Sequence, residues 1–123
     1  MNIAIDYIKD SGNLDKERIV FAVKNDEQLG KYLIAESVLL ENSRFSARIK
    51  NVFWFPDQEL KQGDVVVLYT KSGNNNINKN EDGSTTYFYY WGLSEPHLIN
   101  NKPCVVLFEA SWDVCAILKN DNQ

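Results

Sequence analysis

The stretch that most constrains the fold runs Phe53-Trp54-Phe55-Pro56, then, after Asp57-Gln58-Glu59, Leu60-Lys61-Gln62-Gly63-Asp64 and Val65-Val66-Val67-Leu68-Tyr69. It reads as a strand, a proline stop, a tight glycine-bearing turn and a second strand, with two apolar runs held back to back. Proline cannot donate to a ladder, so the first strand ends at Pro56. The unbroken run Val65-Val66-Val67-Leu68 predicts a strand buried on both faces. Within the first strand Phe53 and Phe55 point one way and Trp54 the other. The two phenylalanines belong to the core if no bulge breaks the phase set by Phe45 and Ile49, and Trp54 is the residue to look for at the surface.

No other part of the chain shows sustained helical periodicity or an internal repeat, and short β-like runs recur throughout. Residues 2–9 alternate Ile3, Ile5 and Tyr7 against Ala4, Asp6 and Ile8, an edge strand whose Asp6 reaches water. Asp10-Ser11-Gly12-Asn13 turns the chain, residues 14–17 allow one helical turn, and residues 17–24 predict a central strand. A polar loop over 25–30 leads to a third strand over 32–36, and residues 37–42, with Val38, Leu39 and Leu40 in a row, read as strand in preference to a short helical turn. The pattern over 45–55 is interrupted at Asn51, which predicts a bulge near Lys50 and Asn51 or a split into two short strands. Residues 72–85, with Asn74, Asn75 and Asn76 in a row, read as a long mobile hairpin loop. Tyr87-Phe88-Tyr89-Tyr90-Trp91 is an aromatic strand closed by Gly92. After a loop around Pro96 and Asn100-Asn101-Lys102-Pro103, residues 104–109 and 114–118 form a final hairpin. About eight or nine short strands at this spacing predict an all-β sandwich or barrel, with the immunoglobulin-like sandwich preferred, as a single domain over residues 1–119 with a frayed tail at 120–123.

Composition narrows the function classes. A chain of 123 residues that is 44% apolar, with six Phe, six Tyr and three Trp, can bury one substantial core. Its net charge of −4, with acids and bases interspersed, offers no positive field for a nucleic-acid backbone. No apolar run is long enough for a membrane-spanning helix, and Met1-Asn2-Ile3-Ala4-Ile5-Asp6 lacks the charged and apolar regions of a signal peptide, so the expected setting is cytoplasmic. Two cysteines, Cys104 and Cys115, and one histidine, His97, are too few for a structural zinc site. Buried free thiols are expected, although neighbouring antiparallel strands would also allow a bridge.

The order of motifs resembles the lamin-tail domain group, an immunoglobulin-like β-sandwich found in nuclear lamins and in many bacterial proteins. The matching parts are residues 18–23 leading to Asn25, the turn Leu29-Gly30-Lys31-Tyr32-Leu33-Ile34, the block from Phe53 to Asp64, and Asn100-Asn101 approaching Val105-Val106-Leu107. They span about residues 17–118. Ala22 and Val23 stand where that group usually carries glutamate and leucine, Tyr32 where it carries tryptophan, and Lys102 and Pro103 where it carries glycine and aspartate. The resemblance implies a non-catalytic adaptor or surface-binding role and brings no catalytic residue.

Candidate binding residues are the aromatics Trp54, Tyr87, Tyr89 and Trp91. In a regular strand Tyr87, Tyr89 and Trp91 share one face and Phe88 and Tyr90 the other. One face belongs to the core, and the other is covered by a loop or open to a partner. The expected partner is a protein or a second copy of the chain, docking on an exposed aromatic or edge-strand surface. Carbohydrate or another small ligand stacking on an aromatic platform is the alternative. A third reading makes an enzyme of His97 with Cys104 or Cys115 and an acid such as Glu95. The loop oxygens of Asn80, Glu81 and Asp82 lack the ligand spacing of a calcium loop. With no phosphate loop, paired metal histidines or nucleophile elbow in the sequence, no cofactor, metal or catalytic residue is expected.

Overall fold

The β-branched and aromatic runs form ten strands in a computed structural model that describes residues 1–38, 48–94 and 103–111. They are β1 (Ile3–Lys9), β2 (Arg18–Val23), β3 (Glu27–Gln28), β4 (Tyr32–Val38), β5 (Lys50–Trp54), β6 (Glu59–Leu60), β7 (Val65–Tyr69), β8 (Asn76–Lys79), β9 (Thr85–Tyr90) and β10 (Pro103–Glu109). A five-stranded sheet has the order β1-β2-β7-β9-β8, a three-stranded sheet has the order β10-β4-β5, and β3 pairs with β6 as a small ribbon. The architecture is all-β and sandwich-like, as expected. The readings at residues 39–42, Phe45, Ala47, 95–102, 114–118 and the tail 120–123 lie outside the described residues.

Register decides which side chains meet. Phe21 faces Val66, and Val66 faces Tyr87; Ile19 faces Leu68, and Leu68 faces Tyr89. These two rows form the inner face of the large sheet. Across from them stand Ile34 and Tyr32 of β4, with Phe53, Val105 and Leu107 packed against the cluster. Phe55 joins the layers, its ring edge-on to Phe21 at 5.5 Å, to Tyr89 at 5.6 Å and to Phe53 at 5.2 Å. Edge-to-face contacts suit the quadrupoles of the rings and add to the apolar area removed from water.

The block around Pro56 therefore carries the chain from one layer to the other: β5 lies in the small sheet and β7 in the large one. Its turn uses Gly63 at a φ of +91°, where a side chain would be strained. The Asp64 carboxylate accepts the amide of Lys61 at 2.8 Å and that of Thr85 at 3.0 Å, tying the entry of β7 to the entry of β9. The bulge is present: Asn51 has a φ of +51° and the pairing of β4 with β5 shifts register between Ile34 and Glu36. Ile49 is consequently exposed, out of phase with buried Phe55 and half-buried Phe53.

Three expectations need correction. Residues 72–85 are not a single loop, because β8 forms inside them and pairs antiparallel with β9. With β8 between them in the chain, β7 and β9 run parallel rather than as a hairpin. Residues 25–30 hold β3 and a 3₁₀ turn, Leu29–Lys31, whose Leu29 is fully buried. Residues 14–17 do make one helical turn, with the Glu17 amide donating to Asn13 O at 2.6 Å. The buried Glu17 carboxylate accepts from Thr70 Oγ1 at 2.7 Å and from the Gly12 amide at 2.8 Å, which offsets its desolvation.

Candidate docking site

Strand β5 ends the order of the small sheet, and past the bulge it turns Val52 and Trp54 to the side opposite the core. Val52 is 51% exposed, Trp54 55% and the preceding Ile49 41%. Trp54 pairs with Leu33, and Leu33 with Phe108, so an apolar row crosses the outer face of all three strands. Leu33 and Phe108 are half-buried there.

The indole is held from beneath. Trp54 Nε1 donates to the carbonyl of Gly30 at 2.7 Å, and Gly30 sits in the 3₁₀ turn between β3 and β4. That turn is braced on two sides. Gln28 Oε1 accepts the amide of Gly30 at 3.2 Å and that of Gln58 at 2.6 Å, coupling the turn to the segment after Pro56. A methyl on Gly30 would lie 1.9 Å from Asp57 Oδ1 and 3.2 Å from its Cα, so a side chain here would push Asp57 aside. Glu27 completes the base: its carboxylate accepts from the Gln28 amide at 2.9 Å, from Asn2 at 2.9 Å and from the Tyr32 hydroxyl at 3.1 Å, and pairs with Lys31 at 3.1 Å. The Gln28 amide above all, helped by these other donors, lowers the Glu27 pKa to about 2. Burial, reinforced by Glu27, pushes the Tyr32 hydroxyl well above its ordinary value.

The four aromatics singled out from the sequence do not converge. Trp54 is exposed on the small sheet, whereas Tyr87 and Tyr89 are buried on the inner face of the large one, opposite Val66 and Leu68. Burial raises the Tyr89 pKa to about 12. Trp91 is half-buried and packs on Phe53 at 6.2 Å, against the core. The platform expected from Tyr87, Tyr89 and Trp91 is thus corrected to a core surface: pairing with β7 assigns this phase of β9 to the interior.

The opposite face carries Tyr69, Phe88 and Tyr90 as a stack. Tyr69 and Tyr90 lie 5.4 Å apart and 11° from parallel, and the Arg18 guanidinium covers Tyr69 at 5.6 Å from the neighbouring strand. Gly73 lies against the Tyr90 ring, where an added methyl would come within 2.4 Å of it. Stacking on Tyr90 and cover by Arg18 reduce the ring area of Tyr69 open to a sugar.

Asp82 Oδ1 accepts the amide and hydroxyl of Ser84 at 2.9 and 2.6 Å, holding a turn, and its pKa is lowered by these bonds. Among the described residues no three His, Cys, Asp or Glu side chains gather as metal ligands. Cys104 is a half-buried free thiol, and His97, Glu95 and Cys115 lie outside the described residues. No helix among the described residues is long and apolar enough to cross a membrane. Compared with known proteins, the chain matches no family model and no curated protein.

Sequence reasoning reached Trp54 through its phase between two core phenylalanines. It missed Gln28, Gly30, Asp57 and Gln58, polar and small residues in segments read as loop and turn. The Gly30 carbonyl that receives the indole carries no sequence signal at all.

Proposed function

We propose that the protein is a non-catalytic binding module that docks a partner protein on the outer face of the small sheet, with Trp54 as the anchor. The observation that carries this reading is an indole 55% exposed whose N–H is already bonded at 2.7 Å. Covering such a ring removes apolar area from water, at about 25 cal/mol per Å², without stranding a donor. Its orientation is set in advance by the braced turn, so little side-chain freedom remains to be lost on binding. Val52 and Ile49 extend the apolar contact, and the half-buried row through Leu33 to Phe108 continues it across the sheet.

The lamin-tail-like, immunoglobulin-like kinship belongs to the same proposal. Its support is that residues 18–23 form β2, the turn at Leu29 to Lys31 leads directly into β4, and the block around Pro56 passes between layers. Carbohydrate binding has weaker support, because Tyr87 and Tyr89 are interior and Tyr69 is stacked on Tyr90 and covered by Arg18.

A display library of extended peptides selected on the protein, followed by a ¹H–¹⁵N chemical-shift map of a selected peptide, tests this reading. Perturbations centred on β5, Leu33 and the Trp54 indole are the expected result. Peptides that map instead to the Tyr69–Tyr90 stack, or a library that yields no binder, would count against it.

A further inference from the structure

The large sheet ends in β8, a strand exposed along its whole length whose pairing among the described residues is to β9 alone. Its hairpin fixes which backbone groups face outward. Asn80 donates to Ser84 O at 2.9 Å and Gly83 to Asn80 O at 3.1 Å, with Gly83 at a φ of +90°, a tight turn closed by a glycine bulge. Asn80 and Ser84 are therefore a bonded pair. Since bonded and non-bonded pairs alternate along an antiparallel ladder, Ile77 and Lys79 turn their N–H and C=O groups away from β9.

Edges of this kind are normally blocked by a charge standing out from the strand. Here the single charge on β8, Lys79, is turned back to Thr85 Oγ1 at 3.1 Å. Ile77 remains, 58% exposed, on the inner side of the sheet beside a groove lined by Pro56, Gln58 and Tyr87.

We propose that β8 pairs antiparallel with β8 of a second copy about a twofold axis at Ile77, joining the two large sheets into one. The sequence is self-complementary in that register. Ile77 meets its twin above the two grooves, Asn76 opposes Asn78, and Lys79 opposes Asn75, so no like charges face each other. The pairing also carries the acidic hairpin tip, Glu81-Asp82, of each copy to the end of the other's sheet that bears Lys71 together with Arg18, which is paired there with Asp10 at 3.0 Å. Those cations lie over Tyr69, at the opposite end of the sheet from the copy's own tip. A peptide of another protein would gain the backbone bonds but not this match of charge. The surface is separate from that of Trp54, and a strand pair this short falls among weak, transient interfaces.

Sedimentation velocity on the full chain, from about 10 μM to about 1 mM, tests the proposal in the range where such interfaces act. The wild type and Trp54→Ala are expected to associate as concentration rises, and Ile77→Lys, which sets two ammonium groups at the axis, to remain monomeric. Amide exchange on the wild type provides a check free of any folding defect: the outward N–H groups of Ile77 and Lys79 should slow at high concentration. A wild type that stays monomeric throughout would overturn the proposal. So would association that survives Ile77→Lys but is lost in Trp54→Ala, or exchange at Ile77 and Lys79 that ignores concentration.

Discussion

Glu27 shows how much of the docking surface rests on single side chains out of sight of it. The Gln28 amide, Asn2, Lys31 and the Tyr32 hydroxyl hold its carboxylate ionised to about pH 2, against an ordinary value of 4.5. The folded form thus keeps its charge where the unfolded chain takes a proton. The stability Glu27 contributes is present above about pH 4.5 and is lost as pH falls from there toward 2. Urea denaturation across that window should show a declining midpoint, with a shallower decline in Glu27→Gln. The neighbouring aromatics illustrate what a residue's type and position reveal. Trp54 could be placed at the surface because Phe53 and Phe55 claim the interior on either side of it. Tyr87 and Tyr89 could not be placed, since Thr86 to Trp91 is aromatic on both faces and neither phase looks more buried than the other. Only the pairing with β7, a contact distant in sequence, decides it.

At the scale of elements, β5 owes its usefulness to one irregularity. Asn51 enters the left-handed region, and its side-chain Nδ2 donates to the buried Glu36 carboxylate. Asparagine tolerates that backbone where a β-branched residue does not. Asn51→Val is expected to cost about 2 kcal/mol or more in urea unfolding, from backbone strain together with the lost donor. Asn51→Gly, which removes the side chain without introducing backbone strain, should cost less. The bulge was legible as a break between Ile49 and Phe53. Strand β8 was not, because a strand whose outer edge and both faces meet water needs no alternation of apolar and polar residues, and Asn74 to Asn80 offers only Ile77. The parallel alignment of β7 and β9 was hidden for the same reason. The two-residue strands β3 and β6 are too short to carry any period.

For the whole molecule, Phe55 and Trp54 divide the work between interior and surface although they are adjacent. Phe55, 3% exposed and touching Phe21, Phe53 and Tyr89, joins the two layers. Phe55→Ala should cost about 3–5 kcal/mol in urea unfolding, the loss typical of an emptied aromatic site. Trp54→Ala removes the bond to Gly30 and a half-exposed ring, and should cost the fold less than Phe55→Ala. Its effect belongs to binding. Calorimetric titration of wild type and Trp54→Ala with the same display-selected peptide is therefore the most direct measurement. The expected result is a Kd weakened about thirtyfold, or about 2 kcal/mol, in a variant that remains folded. A Kd within about twofold of the wild type would contradict the assignment of Trp54 as the anchor.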